Sequence, residues 1–399
     1  MNSDYWKDIN INLLRQKKIA IIQNELLTYH FPRLETLNEV CKVNEILLIS
    51  IEVINDYTNI QSKHKGKFVN LRLVSNSKIV ANLWKIINLN LLFELWRIKP
   101  NCIFLAGYSN LSNLIILLIS KLLKVPIVLI SDSTYGDKPR KRLIEIFKSK
   151  IVKMFNSAFV SGIRAKIYLQ MLGFPEDNIF FGNDVVDNNS FHFLSLKISE
   201  DKRYYQTLLN LPSKFLLFVG RIVKEKNIEN MLNAFKELQN EDNEKYKNFS
   251  LVICGTGTQK KYFENYVSNN NIENVIFTGY VSYPEIVVYY SLAHALILPS
   301  ISETWGLVIN EAMSCGLPIL ASTNVGSVDD LLEENVNGYI FDPNKINEII
   351  NSMEKIILTS NEKYYKMQQS SISRIRQYGL ERYCFGFLSA SIKAIEGKN

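Results

Sequence analysis

Residues 299–318 read PSISETWGLVINEAMSCGLP, and they follow directly on an apolar run, Ala295–Leu298. An apolar run, a polar loop, a helical stretch and then Gly-Leu-Pro predict a strand, a loop and a helix that ends near Gly316. One carboxylate, Glu303, lies in the predicted loop, and Glu311 follows about two helical turns later. The segment is therefore a strand–loop–helix unit with one acidic side chain before the helix and one within it.

The backbone amides between these two glutamates are the second feature of the segment. Thr304, Trp305, Gly306 and Leu307 lie where the predicted helix begins, and unpaired N–H groups and the helix dipole attract phosphate at such a position. The spacing of two glutamates is by itself weak evidence for a ligand site, because exposed helices are rich in this residue. Together with the amides it suits a sugar nucleotide, with the diphosphate on the N–H groups and the hydroxyls on the carboxylates.

A second motif, FVGRIVKEKN, spans residues 218–227. A predicted strand ends at Gly220, where the absence of a side chain lets the backbone approach a ligand closely. Arg221 can form a bidentate contact to phosphate, and Lys226 adds a further positive charge. A solvated basic turn is the alternative interpretation of these two cations.

Two further strand ends carry small residues. Gly255 and Gly257 follow a predicted strand in the sequence CGTG, but a third glycine and a suitably placed acidic residue are missing, so this is not a dinucleotide-binding fingerprint. A tight turn beside a nucleotide is the better interpretation. Tyr280 and Val281 follow the next strand at Gly279.

These motifs resemble those of the retaining glycosyltransferases of family 4, the glycosyl transferases group 1, which have the two-domain GT-B fold. The matching residues around the first motif are Glu303, Trp305, Gly306, Glu311, Ala312, Gly316 and Pro318. The resemblance implies that Glu303 contacts the donor sugar and that Glu311 contacts the ribose. It further implies that Arg221 and Lys226 bind the diphosphate and that the backbone at Tyr280 and Val281 lies near the base.

Strands and helices alternate along both halves of the chain, which predicts parallel sheets with helices on both faces. We therefore expect an α/β protein with two doubly wound Rossmann-like domains facing across a cleft, and the resemblance implies that this architecture is of the GT-B class. Residues 1–195 form the predicted acceptor-binding domain, and 196–379 form the predicted nucleotide-sugar-binding domain. The resemblance implies that a last helix, about 380–399, packs back on the first domain.

The acceptor side is less well defined by the sequence. No glycine follows the first strand, which disfavours a hydride-transfer site. Asp132 is the candidate proton handler, with His30 as a second candidate, although either could cap a helix or lie hydrogen-bonded in the core. The histidines and acidic residues form no metal-ligand pattern, so we expect no metal and no cofactor.

Charge is unevenly distributed, with a net charge of +9 over residues 1–195 and −2 over the remainder. Basic clusters lie at 63–67 and at 138–153, and the second alternates with apolar residues. This pattern predicts either an anionic membrane surface as a partner or an ordinary solvated helix, whereas no nucleic-acid recognition motif is present. With no secretory signal at the first residues, we expect a cytoplasmic protein that could associate with the inner face of the membrane.

The hypothesis from the sequence is a retaining transferase that moves a hexose from a UDP- or GDP-sugar to an acceptor hydroxyl. The acceptor is expected to be a glycan, a lipid-linked glycan or a small molecule. Two alternatives stay open. A sugar-nucleotide epimerase of the same architecture would need acid and base residues around the sugar C2, and a non-catalytic nucleotide-sugar-binding scaffold would need only the donor motifs.

Overall fold

A computed structural model describes residues 14, 17–25, 29–41, 45–52, 70–73, 95–241 and 244–397. The chain divides into two compact units. The first unit consists of residues 1–133, 140–186 and 380–399, and the second consists of residues 134–139 and 187–379. The chain thus passes from one unit to the other after residues 133, 139, 186 and 379. The domain boundaries after residues 195 and 379 that the sequence indicated stay predictions.

The first unit contains a seven-stranded sheet in the order β3-β2-β1-β4-β5-β6-β7, and every pair of neighbours is parallel. Because the order reverses between β1 and β4, this is a Rossmann-like sheet with its topological switch at that point. The strands are β1 (Lys18–Glu25), β2 (Glu45–Glu52), β3 (Asn70–Leu73), β4 (Cys102–Ala106), β5 (Ile127–Ser131), β6 (Ser157–Val160) and β7 (Ile179–Phe181).

Helices cover both faces of this sheet. The apolar side chains of β4, β5 and β6 are almost completely buried, as expected for parallel strands enclosed on both sides. The described helices of the first unit are α1 (His30–Cys41), α2 (Leu111–Leu122), α3 (Arg142–Val152), α4 (Ile163–Met171) and α15 (Leu380–Glu396).

Helix α15 packs on one face of the first sheet. The Phe387 ring stacks on the Phe104 ring of β4 with 4.0 Å between centroids and meets the Phe159 ring of β6 edge-on. A side chain at Gly386 would overlap the carbonyl oxygen of Phe181, so glycine permits the close approach of helix and sheet. The helix thus completes the hydrophobic core that β1, β4, β5 and β6 form on this face of the sheet.

The second unit contains a six-stranded parallel sheet in the order β10-β9-β8-β11-β12-β13, with its reversal between β8 and β11. Its central strands are fully buried. The strands are β8 (Phe215–Val219), β9 (Ser250–Cys254), β10 (Val275–Gly279), β11 (Ala295–Leu298), β12 (Ile319–Ser322) and β13 (Gly338–Phe341).

In the second unit, helices precede the first strand, connect each pair of successive strands and follow the last strand. They are α5 (Asn188–Glu200), α6 (Lys202–Leu208), α7 (Ile228–Asn240), α8 (Glu244–Lys247), α9 (Lys260–Asn269), α10 (Ile286–Leu292), α11 (Leu307–Ser314), α12 (Val328–Leu331), α13 (Ile346–Ile357) and α14 (Asn361–Ile375). Within the described ranges, no helix is both long and apolar enough to cross a membrane.

Two sequence expectations fall outside the described residues, namely a helix at 77–92 and the basic cluster at 63–67. The stretch 188–212, for which the sequence indicated no strand, contains helices α5 and α6. Helix α11 begins two residues later than the predicted start at Trp305, because Gly306 has a left-handed conformation with φ of 93°. The helix can therefore not extend back to the tryptophan.

Candidate functional site

The predicted site residues of the second unit lie on loops at the carboxyl edge of its sheet. Gly220, Arg221 and Lys226 follow β8, and the segment that contains Glu303 follows β11. Because β8 and β11 are neighbours at the point where the strand order reverses, their loops lie where ligands bind in open α/β sheets. The fold thus brings the two strongest sequence motifs to one place.

An ion pair joins these two loops. The Lys226 ammonium contacts the Glu303 carboxylate, and the two side chains are 13% and 19% exposed. The main chains are also joined, because the Ile301 N–H donates to the Glu225 carbonyl over 2.8 Å. A cation and an anion are therefore held side by side at the switch point, each still partly open to solvent.

The start of helix α11 is positioned by Trp305 and Gly306. The Trp305 side chain is 3% exposed, and its indole N–H donates to Asn310 Oδ1 over 3.0 Å. A side chain at Gly306 would come within 3.4 Å of atoms of Val325, Leu298 and Glu303. These contacts place Thr304 and Leu307 on either side of a fixed turn, so that the first amides of the helix follow directly on Glu303.

Glu311 lies on helix α11 in a largely enclosed environment. Its carboxylate accepts a hydrogen bond from the Tyr290 hydroxyl over 2.6 Å. Burial raises the pKa of Glu311 to about 7, and the tyrosine hydrogen bond opposes that rise. Burial and the neighbouring carboxylate hold the pKa of Tyr290 well above its usual value, so this hydroxyl is a donor to Glu311.

The glycines of the adjacent loops have a packing role. A side chain at Gly255 would overlap the carbonyl oxygen of Gly220, and one at Gly257 would overlap that of Ile222. The Gly220 N–H donates to the Cys254 carbonyl over 3.0 Å, and the Gly255 N–H donates to Gly279 over 2.8 Å. The loops after β8, β9 and β10 are thus packed backbone to backbone, which fixes the conformation of the segment that carries Arg221.

Three predicted binding residues lie at the surface of this edge. The Arg221 side chain is exposed and forms no hydrogen bond or ion pair with the part of the chain that the structure describes. Tyr280 is 75% exposed, and Val281 is partly exposed beside it. Their accessibility is compatible with ligand contact, whereas the structure gives them no packing role.

A loop after β12 supports the Glu303 segment from the other side. The Gly326 N–H donates to the Glu303 carbonyl over 2.9 Å, and the Ser327 N–H donates to the Trp305 carbonyl over 3.1 Å. A side chain at Gly326 would overlap the Thr304 carbonyl oxygen. Glycine at this position is needed for the close approach of the two loops.

Sequence reasoning missed several residues that position the site. Tyr290 and Asn310 orient Glu311 and Trp305, and the Ser302 hydroxyl donates to the Asp137 carbonyl over 3.0 Å. No motif or spacing marks Tyr290, because it lies on the helix before β11 rather than at a strand end. Asn310 directly precedes Glu311, but no motif in the sequence marks it as the hydrogen-bond partner of Trp305.

In the first unit, the two acceptor-side candidates follow different strands. His30 begins α1 after β1, is 8% exposed and lies 4.4 Å from the Tyr29 ring. Asp132 is exposed and follows β5. Because β4 separates β1 from β5 in the sheet, the two residues share its carboxyl edge without being on adjacent strands.

A buried arginine also lies in the first unit. Arg33 is 2% exposed and donates two hydrogen bonds to the Val185 carbonyl, over 2.9 and 2.7 Å. Its guanidinium is 3.7 Å from the Asp184 carboxylate, which accepts a 2.5 Å hydrogen bond from the Ser161 hydroxyl. These contacts tie α1 to the end of the sheet beyond β7 and so fix the helix that carries His30.

No group of three or more His, Cys, Asp or Glu side chains that could hold a metal ion occurs among the residues that the structure describes. The expectation of a reaction without metal or cofactor stays a prediction, because nothing in the fold tests it.

Most of the second unit is similar to a known protein family. Residues 201–374 match the model of the family described as glycosyl transferases group 1. An uncharacterized glycosyltransferase of Methanocaldococcus jannaschii is 31% identical over 153 residues, which cover 38% of this chain and 40% of the relative. The 2-deoxystreptamine N-acetyl-D-glucosaminyltransferase of Niallia circulans is 30% identical over 148 residues, or 37% of each chain. The matches thus span about two fifths of these relatives.

Solved structures share the fold of most of the chain. The crystal structure of Anabaena HepE in complex with UDP and glucose has a TM-score of 0.70 and 14% identity, and the match covers 92% of this chain and 97% of that protein. This likeness shows the fold. Together with the two parallel sheets described above, it confirms the α/β GT-B class predicted from the sequence.

Proposed function

We propose that this chain, a group 1 glycosyltransferase by the family match of its second unit, transfers a hexose from a nucleoside diphosphate sugar to an acceptor hydroxyl with retention at the anomeric carbon. The observation that carries the proposal is the ion pair of Lys226 with Glu303 at the sheet reversal, directly before the amides of α11. A phosphate needs cations and N–H donors, and a sugar needs a carboxylate, within a few ångströms of one another.

The charges of this edge suggest how a donor would lie. The diphosphate would contact the Lys226 ammonium, the exposed Arg221 guanidinium and the amides from Thr304 to Leu307. The sugar hydroxyls would then reach Glu303. Glu311 lies further along α11 with its Tyr290 partner, where a carboxylate could accept hydrogen bonds from ribose hydroxyls. Tyr280 and Val281 would lie near the base.

The proposed chemistry breaks the bond between the anomeric carbon and the diphosphate oxygen and forms a bond from that carbon to the acceptor oxygen on the same face. The departing phosphate oxygen takes the acceptor proton, so that atoms and charge balance. Lys226, Arg221 and the helix amides stabilise the growing negative charge of the leaving group. The Glu303 carboxylate is paired with a lysine, so we assign it to orienting the sugar rather than to forming a covalent glycosyl intermediate.

Two observations support a sugar nucleotide as the donor. The Anabaena protein of the same fold was solved with UDP and glucose, and the curated relative from Niallia circulans is named for transfer of an N-acetylglucosaminyl group. We propose the first unit, which carries Asp132 and His30, as the acceptor-binding unit.

The test begins with a thermal-shift panel of UDP- and GDP-sugars, because a ligand at about a hundredfold excess over its dissociation constant stabilises the folded state by roughly 2.7 kcal/mol. The donor that stabilises the protein is then incubated with candidate acceptors, and the anomeric configuration of the product is read by NMR. Conversion of the donor alone to an isomer would indicate an epimerase. Binding without transfer to any acceptor and without hydrolysis would indicate a scaffold. A product with inverted configuration would contradict the retaining mechanism.

A further inference from the structure

Helix α3, Arg142–Val152, presents its apolar side chains to solvent. Leu143 is 82% exposed, Phe147 61%, Ile146 50% and Ile144 49%. An ordinary surface helix turns its apolar stripe to the core and its polar face to water. In α3 this arrangement is inverted for most of the helix, with only Ile151 and Val152 at its end buried.

The inward face of α3 is held by polar contacts. The Glu145 carboxylate accepts hydrogen bonds from the Lys148 ammonium over 2.9 Å and from the Tyr168 hydroxyl of α4 over 2.7 Å. Tyr168 itself is 2% exposed and also accepts a hydrogen bond from Arg140 over 2.9 Å. The Ser149 hydroxyl donates to the Leu172 carbonyl over 2.6 Å.

These contacts fix the rotation of the helix about its axis. Turning the apolar side chains inward would take Glu145 away from the buried Tyr168 hydroxyl and Ser149 away from the Leu172 carbonyl. A buried polar group that loses its partner costs roughly 1–3 kcal/mol. The exposure of Leu143 and Phe147 is therefore a consequence of a satisfied polar interface with α4, and it is maintained in the folded unit.

Cations surround the exposed apolar side chains. Arg142, Lys150 and Lys153 are exposed and form no ion pair with any residue in the described ranges. By helical spacing, Lys150 lies on the same face as Leu143 and Phe147, seven and three residues after them. Glu145 is the sole acidic residue of the helix and points inward, so the outer face combines apolar and positive groups alone.

We propose that this outer face of α3 docks on the surface of an anionic lipid bilayer. Apolar side chains enter the boundary between headgroups and acyl chains, and basic side chains contact the phosphates of anionic lipids. A helix of 11 residues is about 16 Å long, which is too short to span a hydrocarbon core of about 30 Å. The helix therefore lies in the plane of the surface.

The choice of a bilayer rests on charge and composition together. A nucleic acid would use the cations but would leave the four large apolar side chains in water. A protein partner, including a second copy of this chain, would cover the apolar groups, and we treat it as an outcome of the test. The proposal does not rest on the proposed function, since it concerns the first unit and its readout needs no activity.

The test is sedimentation of the full chain with vesicles. We expect co-sedimentation with vesicles of phosphatidylcholine that contain phosphatidylglycerol, weaker binding with phosphatidylcholine alone, and weaker binding as salt is raised, because screening reduces the attraction of exposed charges. Absence of co-sedimentation with the anionic vesicles at low salt would overturn the proposal.

Two variants separate the apolar and charged contributions. Leu143→Ser with Phe147→Ser removes the two most exposed apolar side chains of the helix. We expect the partition coefficient onto anionic vesicles to fall by about tenfold or more. Arg142→Gln with Lys150→Gln should reduce partition about fivefold for each charge removed. Since all four side chains are exposed, the thermal unfolding midpoint should be unchanged.

Matched controls come from the second unit. Leu208 is 61% exposed on α6, and Lys261 is exposed on α9, so Leu208→Ser with Lys261→Gln should leave partition unchanged. Equal partition of the apolar variant and the unmodified protein would contradict the proposal. So would a dimer in lipid-free ultracentrifugation that the apolar variant converts to a monomer without loss of vesicle binding, because the face would then join two copies.

Discussion

At the scale of single residues, the pairing of Lys226 with Glu303 is the contact from which the proposed chemistry follows. Each side chain comes from a different strand end, and each is more than four-fifths covered. Removal of either partner leaves the other charge in a partly desolvated crevice. The two residues are therefore expected to act as a unit, both on stability and on donor binding.

We predict that Lys226→Ala and Glu303→Ala each reduce kcat/KM by two or more orders of magnitude, since each removes about 3 kcal/mol or more of transition-state stabilisation. The effects of the two substitutions should not add in the double variant, because the residues share one contact. Steady-state kinetics and circular dichroism check the loss and the fold. Glu264→Ala, at an exposed helical pair with Lys260, is the control, and near-normal turnover of either site variant would refute the assigned roles.

The pH response of Glu311 is a second prediction at this scale. Its folded pKa of about 7 lies above the usual carboxyl value because of burial. The folded protein therefore binds a proton that the unfolded chain has released, so the free energy of unfolding should fall as pH rises from about 4.5 to about 7. Glu311→Gln should remove this contribution and raise stability at pH 8 by about 1–3 kcal/mol.

The same substitution should weaken donor binding, if the carboxylate contacts ribose as proposed. Urea unfolding at pH 5.5 and pH 8 measures the first effect, and calorimetry with a nucleoside diphosphate measures the second. Glu354→Gln, at another carboxylate that accepts a tyrosine hydrogen bond, serves as the comparison. A stability difference between wild type and Glu311→Gln that is the same at both pH values would show that Glu311 does not titrate in this range.

At the scale of elements, the glycines after β8 and β9 decide how the loops meet. Gly255 lies against the backbone of Gly220, and a methyl group there would overlap a carbonyl oxygen. The backbone cannot move away from the added methyl group as the end of a flexible side chain can. The loop that presents Arg221 and Lys226 therefore depends on a residue that need not touch a ligand.

We predict that Gly255→Ala destabilises the protein by about 2 kcal/mol or more and lowers donor affinity, because it separates the β8 and β9 loops. Gly136→Ala is the matched control, since no atom lies within 4 Å of the added methyl group and its φ is not positive. Thermal unfolding and nucleotide calorimetry give the two readouts. If Gly255→Ala retains wild-type stability, the loops are not packed as closely as described.

Much of the arrangement of strands, loops and helices could be predicted from the sequence. The contacts that the sequence did not predict were missed for physical reasons. Apolar runs that end at Gly220 and Pro299 mark strand ends, and strand ends of a parallel sheet meet at one edge, so the pairing of the motifs follows from topology. Tyr290 could not be foreseen, because its hydrogen bond to Glu311 joins two helices at no fixed spacing. The rotation of α3 was equally hidden, because its inward polar face depends on Tyr168, which lies on another helix.

At the scale of the whole molecule, the first unit is assembled from separated stretches of chain. Helix α15 follows the entire second unit in sequence, yet it supplies Phe387, which is fully buried against Phe104 and Phe159. The core of the first unit on that face therefore depends on contacts of high sequence separation. The sequence indicated a helix here, but only the family resemblance indicated its partner.

We predict that Phe387→Ala destabilises the first unit by about 3–5 kcal/mol through loss of buried area and a cavity beside β4. Hydrogen exchange should show faster exchange in β4, β5 and β6, while β8, β9 and β11 keep their protection. Leu358→Ala, at a side chain that is 40% exposed, should leave both sheets unaffected. Equal loss of protection in both sheets would mean that the two units unfold as one.

The position of α15 in the chain has a consequence for biosynthesis. A ribosome releases β1 to β7 long before it releases Leu380–Glu396, so one face of the first sheet stays without its covering helix while residues 187–379 are being translated. The second sheet is built from a single uninterrupted stretch, residues 215–341, and meets no such delay. During synthesis the nascent chain thus carries an open apolar face, and this interval is the one in which a chaperone would have reason to bind it.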